Sequence, residues 1–141
     1  EWNVQNRILP ALRAGKTIIM DRYFFASGAY QSTSTGIHWS EILRRNRVQV
    51  GAPEPDIVFL LDVPVEVGLS RLKNRSSDTN RQFELRDRLE RVRAAYLEMA
   101  EQDSGSFVVI DATRSLEDVV DEITRHVLAI LRTNGADSAK D

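Results

Sequence analysis

Thr17-Ile18-Ile19-Met20-Asp21-Arg22-Tyr23-Phe24-Phe25-Ala26-Ser27-Gly28-Ala29-Tyr30-Gln31 is the stretch on which the fold turns. Its first four residues form a short apolar run, the pattern of a strand buried on both faces. The run ends abruptly in Asp21-Arg22. The same design recurs twice downstream, in Ile57-Val58-Phe59-Leu60-Leu61 before Asp62 and in Phe107-Val108-Val109-Ile110 before Asp111. Helical patterns lie between these runs. Strands alternating with helices predict an α/β fold, with a parallel sheet and helices on both faces.

Working outward, Trp2, Gln5, Ile8, Leu9 and Leu12 recur at helical spacing over residues 1–14, with Pro10 as a bend and Gly15 as a stop. A second helix is expected over residues 24–31, followed by a polar loop, Ser32-Thr33-Ser34-Thr35-Gly36. Trp39 to Val50 reads as helix with Ser40 as its cap, and Gly51-Ala52-Pro53-Glu54-Pro55 breaks it. Pro64 suits a first helical position, and that helix runs to Leu72. Residues 74–82 are polar.

Phe83 to Gln102 is the strongest helical pattern, with Leu85, Leu89, Val92, Tyr96 and Met99 on one stripe. Glu84–Arg88 and Asp87–Arg91 are spaced to pair along it. A last helix is expected from Leu116 to Leu131, capped by Ser115. One domain over residues 1–132 follows, with residues 133–141 as a disordered tail.

Composition narrows the function. The 141 residues carry a net charge of −2, which offers no electrostatic case for nucleic acid or an anionic membrane. Cysteine is absent and only two histidines occur, so thiolate and histidine-built metal sites are excluded. No apolar run approaches the roughly 18 residues of a membrane span. A soluble, cytoplasmic protein is the expectation.

In an open parallel sheet, ligands bind at the carboxyl ends of the strands. Asp21, Asp62 and Asp111 all stand there, although aspartate is also a common turn and cap residue. Asp21-Arg22 offers two readings. The carboxylate can hold a metal-bound water while the guanidinium neutralises a phosphoryl group. Alternatively, the two form an ion pair that fixes the loop. Arg71, Lys73, Arg75 and Arg81 flank the polar stretch and suit either a phosphate lid or a solvated linker. Phe24, Phe25 and Tyr30 suit either a nucleobase platform or the core.

A family resemblance bears on these alternatives. Asp21 to Gln31 resembles the thymidylate kinase signature D-R-Y-x-x-S-x-x-A-Y-Q. Pro10-Ala11-Leu12, Gly15, Pro55 to Pro64, Glu66-Val67, Arg71, Phe83-Glu84, Glu90 to Leu97 and Ile110-Asp111-Ala112 are similar to that family in the same order. The resemblance implies a P-loop kinase-type sheet and transfer of a phosphoryl group from ATP to dTMP, with Mg2+, giving dTDP. It implies that Asp21 is catalytic, near the phosphates and holding the metal through water. Arg22 would bridge the donor and acceptor phosphates. Ser27 would lie near thymine, and Tyr30 beside the sugar, where it disfavours a ribose 2′-hydroxyl. Gln31 would close the dTMP site. Arg71, Arg75 and Arg81 would belong to a lid at about residues 73–83. A homodimer is typical of the family.

The sequence departs from the pattern in places. Ala26 stands where the signature has serine, and Asn80-Arg81-Gln82-Phe83-Glu84 carries one residue more than D-R-F-E. No G-x-x-x-x-G-K-[ST] occurs in the 141 residues. Glu1-Trp2-Asn3-Val4-Gln5 reads like the middle of a helix. The expectation is therefore an incomplete fold, lacking the first strands and the P-loop. On this expectation the chain would be the C-terminal two-thirds of the domain and inactive alone. Other deoxynucleotide or deoxynucleoside kinases and a non-catalytic nucleotide-binding paralogue are the rival readings.

Overall fold

The structure is a computed structural model, and it describes residues 1–71 and 79–137; the side chains of residues 79–82 and 133–137 are outside that description. The chain opens with a widened π-type turn, Val4–Ile8, that continues into α1, Leu9–Arg13. Leu9 N–H reaches back five residues to Val4 O. Pro10 explains the widening, because its ring crowds the carbonyl four residues earlier and it has no N–H to donate.

Then come α2 (Phe24–Thr35), α3 (Trp39–Arg45) with a second π-type turn (Asn46–Val50), β1 (Val58–Asp62) and α4 (Val65–Arg71). Last are α5 (Thr79–Gln102), β2 (Phe107–Asp111) and α6 (Leu116–Asp137). β1 and β2 pair in parallel, Val58 beside Phe107 through Asp62 beside Asp111. The α/β class holds, with a two-stranded parallel sheet and flanking helices.

The strand expected at Thr17–Met20 does not form. Lys16 to Met20 is irregular, and Ile19 is 91 % exposed. A strand exists only through the neighbour that completes its ladder. Among the described residues β1 pairs with β2 alone, and nothing pairs with 16–20. The strands themselves are less enclosed than their apolar runs suggest, since Leu61 is 51 % exposed and Val109 46 %.

Four local expectations are also corrected. The polar stretch 32–35 is helical, ending only at Gly36 in the left-handed region (φ 72°). Its hydroxyls bond back to carbonyls three or four residues earlier: Ser32 to Ala29, Thr33 to Tyr30, Ser34 and Thr35 to Gln31. The cap of α3 is His38, whose ring Nδ1 accepts from Ser40 N–H at 3.3 Å, rather than Ser40. On α5 the pairs Glu84–Arg88 and Asp87–Arg91 do not form. Arg86 instead pairs with Glu90 and with Glu66 of α4, drawing the two helices together. Finally, α6 continues past Leu131 to Asp137; residues 138–141 lie outside the described residues.

The core lies where α2, α3 and α5 meet one face of the sheet. Phe25 meets Phe107 edge-on at 5.0 Å. Leu43 and Met99 are among the most enclosed side chains. Both crowd Gly28, where an added Cβ would stand 2.9 Å from Leu43 Cδ2 and 3.0 Å from Met99 Cε. That glycine lets α2 approach closely enough to bury its neighbours Phe25 and Ala29. Trp39 fixes α3 to α5 by donating its indole N–H to Glu98 Oε2 at 3.0 Å.

Candidate functional site

The three aspartates expected at strand ends have different fates, and only Asp62 and Asp111 end strands. Asp62 receives a two-pronged ion pair from Arg93 of α5, with Nε to Oδ1 at 2.7 Å and Nη2 to Oδ2 at 2.8 Å. The guanidinium holds the Asp62 carboxyl below its ordinary value. Asp111 is used by its own turn, accepting from Thr113 Oγ1 at 2.6 Å and Thr113 N–H at 2.9 Å, which also lowers its pKa. Asp21 is exposed and has no hydrogen-bond or ion-pair partner among the described residues. Of the three, only Asp21 keeps its carboxylate free for a ligand.

The structural role of Asp62 can be tested. A carboxyl held low in the folded chain contributes stability above its unfolded value, near about pH 4, and loses it as pH falls through the folded value. Both partners are partly solvent-exposed. Arg93→Ala should therefore lower stability at pH 7 by about 1 kcal/mol. The gap between variant and parent should close below about pH 4, where Asp62 becomes protonated. Urea unfolding at several pH values measures both.

Arg22 is the one non-glycine residue with positive φ among those described, at 69°. This left-handed conformation is uncommon for a residue with a Cβ, and such strain concentrates at functional sites. It brings the Arg22 guanidinium over the Tyr30 ring, with Cζ 5.5 Å from the centroid. No ion pair joins Arg22 to Asp21 among the described residues, so the loop-fixing alternative is not what these residues do. Tyr23 ends the turn in extended backbone, and α2 starts at Phe24 without a side-chain cap.

Along α2, Ser27 and Tyr30 are half-buried and Gln31 is exposed. The Ser27 hydroxyl differs from the other hydroxyls of the helix. It makes no hydrogen bond among the described residues, while Ser32, Thr33, Ser34 and Thr35 all bond to the helix backbone. Asp21, Arg22, Ser27, Tyr30 and Gln31 thus share one short turn and the helix it opens. Phe24 and Phe25 are buried, so of the three aromatic candidates only Tyr30 is partly open to a ligand.

Arg71 stands apart from this group. Its Nη2 donates to Ala112 O at 3.1 Å, joining the end of α4 to the turn after β2. Arg75 lies outside the described residues, as does the side chain of Arg81. The lid expected at about 73–83 therefore lies mostly outside them too. One structural participant escaped the sequence reading, Arg93, which is distant in sequence from its partner Asp62.

No described helix is long and apolar enough to cross a membrane. A family model whose description is thymidylate kinase matches residues 1–123.

Proposed function

The chain belongs to the thymidylate kinase family, a family of nucleotide kinases, and from that premise we propose that it forms the acceptor side of a site that phosphorylates dTMP from Mg-ATP. One observation carries this reading. Among the described residues Asp21 and Arg22 have no ionic partners in the strained turn that opens α2, while the carboxylates at the ends of β1 and β2 are occupied.

In the proposed reaction a phosphate oxygen of dTMP attacks the γ-phosphorus of ATP. The bond from that phosphorus to the β–γ bridging oxygen breaks, and ADP and dTDP result. The attacking atom belongs to the substrate, so the protein's task is positioning and charge neutralisation. Arg22 presents a planar fork of donors to the acceptor and migrating phosphoryl oxygens. Tyr30 holds that fork from below and flanks the sugar. Ser27 offers its unbonded hydroxyl to the base, and Gln31 adds an amide at the rim.

The donor set also suits the metal. Among the described residues no group of three or more His, Cys, Asp or Glu could hold an ion directly. Magnesium needs no such cage, because it keeps several waters and takes one or two carboxylates plus substrate phosphates. Asp21 would hold it through water. When bound, it supplies positive charge to the phosphates. Arg75 and Arg81 belong to this reading as lid residues, and Arg71 would join them only by leaving its bond to Ala112 O. Exposed Trp2, with Arg7 5.4 Å over its ring, supports a homodimer through the first helix.

The 141 residues alone should not catalyse this reaction, because no phosphate-cradling G-x-x-x-x-G-K-[ST] occurs among them. Exposed Ile19, Leu61, Val109 and Leu116 support the same view, as apolar surface that a further strand would cover. Made as an isolated polypeptide, these residues should self-associate and form no dTDP. Sedimentation and a coupled assay would reveal the opposite.

The experiment for specificity is a panel of nucleoside monophosphates with Mg-ATP, using the gene product as the cell makes it. dTMP should give the highest kcat/KM, with its ribose counterpart well below. Equal turnover of the two would remove the role assigned to Tyr30. Preference for another base would move the protein to a different deoxynucleotide kinase.

A further inference from the structure

Hydrogen bonds and ion pairs from its own side chains do not hold the Arg22 turn. Asp21, Arg22 and Tyr23 make none among the described residues, and the Tyr23 hydroxyl is buried without a partner. Helix α2 also starts without a side-chain cap. Yet a residue with a Cβ persists at φ 69° only when its surroundings over-determine it. What remains is packing on rings, of Arg22 on Tyr30 and of Tyr23 on Phe24, whose centroids lie 4.6 Å apart.

A cation joins that packing from the widened turn after α3. Arg47 places its Cζ 5.4 Å from the Phe24 centroid and 5.9 Å from that of Phe25. A guanidinium over an aromatic face is attracted by the negative charge of the ring. Arg47 is itself gripped. The chain reverses at Gly51 (φ 66°), and Glu54 then accepts from Arg47 Nε and, at 3.1 Å, from Nη2. A two-pronged pair fixes the plane of the fork as well as its position.

The charge of this pair reaches the turn, since burial and then Glu54 push the Tyr23 phenol up. Phe25 has a second anchor in Phe107 of β2. Phe24 does not: among the described residues its ring and cation contacts are Tyr23, Phe25 and Arg47. An exposed ion pair is of small consequence in itself. This one matters through where its guanidinium lies.

We propose that Arg47, held by Glu54, is a positioning residue: laid over Phe24 and Phe25, it fixes the start of α2 and thereby the turn that presents Arg22. The consequence for turnover rests on the phosphoryl-transfer reading, whereas the hold on Arg22 does not.

The test compares the gene product as the cell makes it with Arg47→Met, Arg47→Lys and Glu54→Gln. Met covers the rings without charge, and kcat with dTMP should fall about tenfold at an unchanged KM for ATP. Lys keeps a cation over the rings and should bring kcat back to within about threefold of the parent. Glu54→Gln weakens the grip and should cost about threefold. Arg44→Met is the control: Arg44 pairs with Glu41 on α3 and lies over no ring among the described residues, so turnover should not change. In an Arg22→Met background, Arg47→Met should lower kcat no further, because both changes act through one group. Turnover of Arg47→Met within about twofold of the parent overturns the proposal. So does a further tenfold loss in the Arg22→Met background, which would mark a general loosening of the fold.

A second measurement is independent of turnover. With isotope-labelled arginine, the Arg22 Nε NMR signal is assigned by its loss in Arg22→Met. Arg47→Met should move it and Arg44→Met should not. A signal that stays in place, or that moves equally in both variants, overturns the proposal. A signal moved by Arg47→Met alone, in a protein that phosphorylates no nucleotide, would sustain the hold on Arg22 and remove the kinase reading instead.

Discussion

Arg22→Met in the gene product as the cell makes it should lower kcat/KM for dTMP about a thousandfold, through kcat. The size follows from what Arg22 is asked to do. Among the described residues its guanidinium has no carboxylate partner, and it stands over a tyrosine ring, so its charge is available to developing charge on a phosphoryl group. Arg22→Lys restores the charge but not the planar fork, and should recover only about tenfold of the loss. The fold should not suffer with the activity. At φ 69° glycine is at ease where arginine is strained. Arg22→Gly should therefore unfold at the same temperature as the parent or higher, while being as inactive as Arg22→Met. Activity lost together with stability would mean that Arg22 is a structural residue.

The second large effect concerns the aspartates. Asp21→Asn preserves shape and removes the charge. It should lower kcat about a hundredfold and raise the magnesium concentration needed for half-maximal rate. Asp62→Asn and Asp111→Asn are the internal controls. Their carboxylates are engaged by Arg93 and Thr113, so these changes should reduce stability and leave kcat within about threefold. Titrating magnesium against all three variants separates a carboxylate that serves a ligand from two that serve the fold. An Asp21→Asn variant with unchanged kcat and unchanged magnesium dependence would take Asp21 out of the site.

These contrasts mark how far the sequence could be read. The runs before Asp62 and Asp111 became strands because each finds the other as a parallel neighbour. The run before Asp21 is equally apolar, yet it stays irregular. Pattern reports what a segment would bury, whereas a strand also requires a partner far away in the chain. Helix α5 was legible because Val92, Tyr96 and Met99 repeat locally at the helical period. Its exposed start was not, since Leu85 is 42 % exposed where the stripe predicts burial.

The turn at 32–36 shows a different limit. Ser-Thr-Ser-Thr-Gly has loop composition, but each hydroxyl can bond to the helix backbone, and only Gly36 supplies a true stop. At the site, the signature Asp21 to Gln31 is contiguous, so its residues were visible together. The Asp62–Arg93 pair joins residues 31 positions apart, and no local spacing announces it.

The most direct measurement of the central claim is the stoichiometry of products. The gene product as the cell makes it is incubated with Mg-ATP and dTMP, and nucleotides are separated over time. The account predicts ADP and dTDP rising together in equal amounts, with no free phosphate. ADP and free phosphate without dTDP would identify an ATPase. No conversion of either nucleotide would mean that the Asp21-Arg22 turn, for all its strain and unpaired charge, does not transfer phosphoryl groups.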